Sequence, residues 1–379
     1  MVQRIFLSAG EPSGVGIGAT LMRTLKARLG DGVSFAGLGG PPMVAEGMRQ
    51  IYDPARTAAM WLWGNLKRIP AHRRALQACV ADWKRERPDV VVTIDYQAFH
   101  LYLGTEARKL GIPVVHFVGS QFWARRYYTL EPIRRAYSHV LLIHEFEKKY
   151  YDEAGIPATF VGHPLFERLA ARSLDEGLCA RIRARAAPRL GLLPGSRGNE
   201  IHGSLPVMLD AARRLEPRPS LVVSVGRPES RPFVAQQVAA AGLEAEVVDF
   251  GSGEILSSCD AALITSGSAS MEALYYQTPA VVVYRLSRFN YFFAKPHITC
   301  AIAQPNLIAG EVFVPEFLLW SASGKGVADA AQEILDDEAA RKTMIDKFGV
   351  LKDSLLAGPH PSEAAADVVC GYLENRASA

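Results

Sequence analysis

Paired cysteines, long apolar runs and an excess of one charge are all missing from this 379-residue sequence. Its five cysteines, Cys79, Cys179, Cys259, Cys300 and Cys370, form no CxxC pair and show no zinc spacing. An odd count at irregular intervals does not describe a disulfide framework, and reduced thiols of this kind point to the cytosol. No stretch approaches the roughly 20 apolar residues that span a bilayer, and the opening run MVQRIFLSAGEPSG turns polar too soon for a signal peptide. The expectation is a soluble or peripheral chain. With 42 basic against 39 acidic residues the formal charge is +3, too even for a nucleic-acid binder. Low-complexity tracts and short-period repeats are absent as well.

What remains is ordinary globular composition, 49% apolar and 21% charged, long enough for two domains of about 150–200 residues each. Short apolar runs at Ile5–Leu7, Phe35–Leu38, Val90–Ile94, Val114–Val118, Val140–Ile143 and Thr159–Val161 alternate with helical stretches such as Ala19–Leu29 and Arg73–Arg85. Runs without polar alternation fit parallel strands covered on both faces. Residues Phe166–Pro188 read as a helical connection, after which a second series follows: Leu190–Leu193, Leu221–Val225, Glu246–Val248, Ala261–Ile264 and Ala280–Val283. Two strand–helix series predict an α/β protein of two doubly wound, Rossmann-type domains facing each other across a cleft. The expected division is residues 1–165 and 166–349, with the helical tail 350–379 returning to the first domain.

In such sheets ligands bind beyond the carboxyl ends of the strands, and four loops fall there. The first runs from Ser8 through Gly10, Glu11, Ser13 and Gly14 to Gly18, where glycines admit either a close ligand or tight packing. The second is Leu193–Glu200, in which Gly195 and Ser196 make a turn and Arg197 offers a planar fork suited to a diphosphate, or to solvent. The third, Thr265–Ala273, opens a helix with Ser266, Gly267, Ser268 and Ser270. It carries Glu272, placed for ribose hydroxyls or for helix-dipole compensation. The fourth, Ile94–His100, ends a strand with Asp95, a candidate general base that also reads as a turn cap. A further stretch has Ala59, Leu62, Trp63 and Leu66 at helical spacing, with Met60 and Trp61 beside them and Lys67 and Arg68 following. An apolar aromatic face next to basic residues suits an interfacial helix, and equally a core helix with a solvated end.

Taken in order, these segments resemble the lipid-A-disaccharide synthase family, bacterial glycosyltransferases of the GT-B fold (glycosyltransferase family 19). The resemblance is carried by Ser8-Ala9-Gly10-Glu11 with Ser13-Gly14, Gly37–Pro41, Asp95 with Phe99, Gln121-Phe122-Trp123-Ala124, Phe160–Leu165, Leu193–Arg197 with Glu200, Ser266–Ser270 with Glu272, and Pro305-Asn306-Leu307. It implies an inverting, metal-independent enzyme without cofactor. The implied reaction moves a 2,3-diacylglucosamine unit from UDP to 2,3-diacylglucosamine 1-phosphate, giving lipid A disaccharide 1-phosphate and UDP. On the matching positions Asp95 is the general base. Gly195, Ser196, Arg197, Glu200, Ser266, Gly267, Ser268, Ser270, Glu272 and Asn306 surround the UDP-sugar. Glu11, Ser13, Gly14, Gln121, Trp123 and His163 fall on the acceptor side, His163 also reading as a structural residue at the domain junction. Met60, Trp61, Leu62, Trp63, Leu66, Lys67 and Arg68 would face the cytoplasmic surface of the inner membrane, the expected location of the enzyme. Absence of a DxD pair agrees with a reaction needing no divalent ion. Val15, Ile17, Ala98 and His100 depart from the family pattern, which leaves open a GT-B transferase with another acceptor or a sugar-nucleotide epimerase. A binding protein without catalysis is the third reading, against which Asp95 speaks.

Overall fold

The computed structural model describes residues 2–10, 12–52, 69–119, 130–286, 301–321 and 323–377. The chain divides into two compact units, residues 1–164 with 358–379, and residues 165–357.

Among the described residues the first unit holds a seven-stranded parallel sheet of β1 (Gln3–Ala9), β2 (Val33–Leu38), β3 (Arg49–Gln50), β4 (Val90–Ile94), β5 (Val114–Phe117), β6 (His139–Leu142) and β7 (Ala158–Phe160). The order is β3-β2-β1-β4-β5-β6-β7. Successive strand side chains leave on opposite faces. Ile5, Leu7, Val90, Val92, Val115 and Phe117 therefore share one core with the helices Pro12–Leu29 and Pro361–Ala377. Phe6, Val91, Val114 and Val140 share the other with the helices Ile69–Arg85 and Gln97–Lys109. Helices on both faces explain why the strands read as continuous apolar runs. Trp83 packs edge-on against Phe6, the ring centroids 5.1 Å apart.

The second unit repeats the plan with β8 (Arg189–Leu193), β9 (Ser220–Val225), β10 (Ala245–Asp249), β11 (Ala261–Thr265), β12 (Ala280–Arg285) and β13 (Glu316–Leu319), ordered β10-β9-β8-β11-β12-β13 and parallel throughout. Every expected strand is present. The two that sequence patterning misses, β3 and β13, are sheet edges and not fully buried; β3 is two exposed polar residues, whereas β13 is mostly apolar but only half-buried.

Two boundaries are corrected. The first helix begins at Pro12 instead of Ala19, so Ser13, Gly14 and Gly18 are helical. A side chain on Gly14 would come 3.3 Å from the Ile94 carbonyl, and one on Gly18 would meet Met43 at 2.9 Å. Those two glycines let the helix lie close on its neighbours. The chain also returns to the first unit at Gly358 rather than at 350, because Leu351 and Leu355 of the helix Glu338–Ala357 pack on the core of the second unit. No described helix is long and apolar enough to cross a membrane.

Candidate functional site

In the first sheet the strand order reverses between β1 and β4, which opens a crevice at their carboxyl ends. Gly10 and Asp95 follow those two ends. Asp95 is half-buried, and both it (φ 55°) and Tyr96 (φ 44°) lie in the left-handed region, where a non-glycine residue costs about 1–3 kcal/mol. Three contacts hold this turn. The Asp95 carboxylate accepts the Tyr96 N–H through Oδ1 at 2.8 Å, while Oδ2 has no partner among the described residues. The Tyr96 hydroxyl meets His72 Nε2 at 2.7 Å. His100 Nδ1 lies 2.6 Å from the Asp95 carbonyl oxygen, and its Nε2 lies 2.8 Å from the Ser8 hydroxyl. Burial lowers the His100 pKa to about 4, opposed by its bond to Asp95, so the ring is neutral at pH 7. A carbonyl only accepts, so Nδ1 carries the proton and Nε2 accepts from Ser8. Gly10 completes the arrangement, since a Cβ there would stand 2.4 Å from Cγ of Tyr96.

The second sheet has its own reversal, between β8 and β11, and both donor-type turns start there. After β8, Gly195 adopts φ 100° and brings the chain back on itself. The Glu200 carboxylate accepts the N–H groups of Ser196 and Arg197 at 3.2 Å each, and the Arg197 guanidinium reaches its other oxygen at 2.9 Å. Glu200 thus anchors the loop; a carboxylate would repel a diphosphate placed directly on it, so its part is to set the turn and aim Arg197. Burial, with the Glu200 charge adding to it, raises the pKa of the nearby Tyr284 phenol.

After β11, Ser266 donates to the Ile302 carbonyl and Ser270 to the Gly267 carbonyl, each at 2.7 Å. Those hydroxyls shape the turn. The helix Ser268–Tyr276 then offers first-turn N–H groups that have no intrahelical partner, with Ser268 exposed and open space beside Gly267 (φ 132°). Glu272 is half-buried one turn along and accepts a hydrogen bond from Ser252 at 2.7 Å. Asn306 is different. It is buried; its amide donates to the Val314 carbonyl and to Glu316, and its oxygen accepts the N–H groups of Phe313 and Val314. All its side-chain hydrogen-bonding capacity is used in clamping its own loop against β13.

His163 is buried, its ring 5.3 Å from that of His144; burial brings the His144 pKa down to about 4. Glu11, Gln121, Trp123, Met60, Trp61, Leu62, Trp63, Leu66, Lys67 and Arg68 lie outside the described residues. Sequence reading includes Thr265 in the third loop but misses its hydroxyl, which is buried at the end of β11 with no partner among the described residues. It missed the Ser8–His100 pair too, since nothing local marks a threonine at a strand end or a contact across 92 residues. No cluster of three or more His, Cys, Asp or Glu residues able to hold a metal occurs among the described residues.

A family model of lipid-A-disaccharide synthetases matches residues 5–357. The chain belongs to the lipid-A-disaccharide synthase family. Membership makes it a glycosyltransferase of the GT-B class acting in lipid A disaccharide synthesis. The lipid-A-disaccharide synthase of Pseudomonas entomophila (strain L48) is 35% identical over 379 residues, covering 98% of this chain and 99% of its own. That of Pseudomonas savastanoi pv. phaseolicola (strain 1448A / Race 6) is 36% identical over 382 residues, covering 99% and 98%. Among solved structures the S. aureus MnaA–UDP co-structure has a TM-score of 0.66 at 14% identity, covering 99% of this chain and 97% of that one. That likeness concerns fold alone, so it is the family match that separates a synthase from an epimerase built on the same plan.

Proposed function

We propose that the chain transfers a 2,3-diacylglucosamine unit from UDP to 2,3-diacylglucosamine 1-phosphate, with inversion and without a divalent metal. The supporting observation is that each sheet carries its candidate group at its own point of strand reversal: Asp95 in the first unit, and the Gly195–Arg197 and Ser266–Ser268 turns in the second. The first unit would take the acceptor and the second the donor. Asp95 Oδ2 accepts the proton of the acceptor hydroxyl as its oxygen attacks the anomeric carbon. The bond from that carbon to the diphosphate breaks, and its electron pair leaves with UDP. Negative charge building on the diphosphate in an oxocarbenium-like transition state is received by Arg197 and by first-turn amides. Glu272 orients the ribose. Ser13, Gly14 and His163 remain acceptor-side assignments, and the stretch Met60–Arg68 is assigned to the cytoplasmic face of the inner membrane.

The test is UDP release by the purified chain, in detergent micelles, from UDP-2,3-diacylglucosamine with and without 2,3-diacylglucosamine 1-phosphate. Acceptor-dependent release supports the reading. Release with a different phosphoglycolipid alone would assign another acceptor, and none with any would sink the reaction.

A further inference from the structure

Phe250 has no structural reason to be phenylalanine. It follows β10, the residue is 60% exposed, and its backbone lies at φ 56°, where a large side chain is strained. An exposed ring returns no burial to offset that strain, and glycine would serve the turn better.

Its neighbours supply the reason. The Phe250 N–H donates to the Val225 carbonyl at 2.9 Å, which pins the residue beside the carboxyl end of β9. The next residue there, Gly226, has no room for a side chain, because a Cβ would stand 3.0 Å from Cβ of Ser196. The end of β9 therefore touches the turn assigned to the diphosphate. On the other side, Ser252 lies two positions beyond Phe250 and donates to Glu272, the residue assigned to the ribose. Phe250 thus stands on the rim between a phosphate-type turn and a carboxylate for sugar hydroxyls. The part of a nucleotide lacking a partner there is the base, a flat π-system for which an exposed aromatic ring is a sequence-tolerant support.

We propose that Phe250 is the platform on which the base of a nucleoside diphosphate stacks. The inference rests on the reading that the second unit binds the nucleotide-sugar donor. It also accounts for the backbone strain, as a conformation kept for ligand rather than for stability.

The test is calorimetric titration of the full chain with UDP, CDP, GDP and inorganic pyrophosphate, in the unaltered protein and in Phe250→Ala, Phe250→Gly and Phe250→Tyr. Loss of one base–aromatic stack predicts UDP affinity roughly tenfold lower in the Ala and Gly variants, near its starting value in the Tyr variant, and unchanged pyrophosphate affinity in all. Phe250→Gly should also leave the denaturation midpoint equal or higher, which a structural phenylalanine would not allow. Equal UDP affinity in Phe250→Ala would overturn the platform, as would a parallel loss of pyrophosphate. A nucleotide other than UDP that alone binds and alone loses affinity would keep the platform and reject UDP as donor. Binding of none would reject both.

Discussion

Arg197 and Glu200 form an ion pair at 2.9 Å inside the turn that Glu200 also closes through two backbone amides. The carboxylate side chain is only 10% exposed, whereas that of Arg197 is 40% exposed, so the pair presents a guanidinium outward on a fixed base. Replacing Glu200 with Ala removes the acceptor for three donors, the Ser196 and Arg197 amides and the Arg197 guanidinium. Stability should fall by about 1–2 kcal/mol, the range of a lost helix cap, read as a lower urea midpoint. An unchanged midpoint would show that the turn holds itself.

Arg197→Ala keeps the two amide bonds to Glu200 but takes away the guanidinium proposed to receive the leaving group. Turnover should drop by about 10²–10³, the scale of one transition-state donor. Steady-state UDP release is the measurement, and an undiminished kcat removes Arg197 from the chemistry.

Asp95→Asn is the sharper test of the base. Asparagine can still accept the Tyr96 N–H through its carbonyl oxygen, so the left-handed turn survives while the proton acceptor is lost. Transfer should fall by about 10²–10⁴ with UDP affinity unchanged. Retained transfer would reassign the base.

Gly10→Ala should impair transfer without touching the donor unit. Its new methyl group would meet Tyr96 at 2.4 Å, a contact that only displacement of Tyr96, and with it Asp95, relieves. Lower kcat at unaltered UDP affinity is expected; normal kcat would mean that Tyr96 moves independently of Asp95.

Three buried histidines make the first unit acid-sensitive. Burial lowers His100 and His144 to about 4 and puts His116 well below its ordinary value, with neighbouring His100 adding to the last. Between pH ~6.5 and 4 the unfolded chain therefore binds more protons than the folded one. Their contribution is complete above pH ~6.5 and is lost as pH falls toward 4, about 3 kcal/mol for each of His100 and His144. Urea midpoints taken across this window should decline steadily on acidification. A flat profile from pH 6.5 to 5 would show that the rings are solvated.

Much of this protein was legible in local pattern. Continuous apolar runs such as Val90–Ile94 announced strands covered on both faces, and all five residues are buried. A turn such as Gly195-Ser196-Arg197 states its chemistry within a few residues, because glycine conformation and guanidinium shape are local properties. Motif order carried the family, since order survives where single residues drift. What local pattern does not encode is which strand ends meet. Only the sheet order placed β1 beside β4, and so Ser8 against His100 and Gly10 against Tyr96. Likewise Glu200 and Asn306 look like ligand groups in the sequence, and tertiary contacts show their hydrogen bonds to be used within the fold. The reason is the same in each case: hydrogen bonds are saturable, and which partner takes them is decided by chain segments that become neighbours only after the sheets assemble.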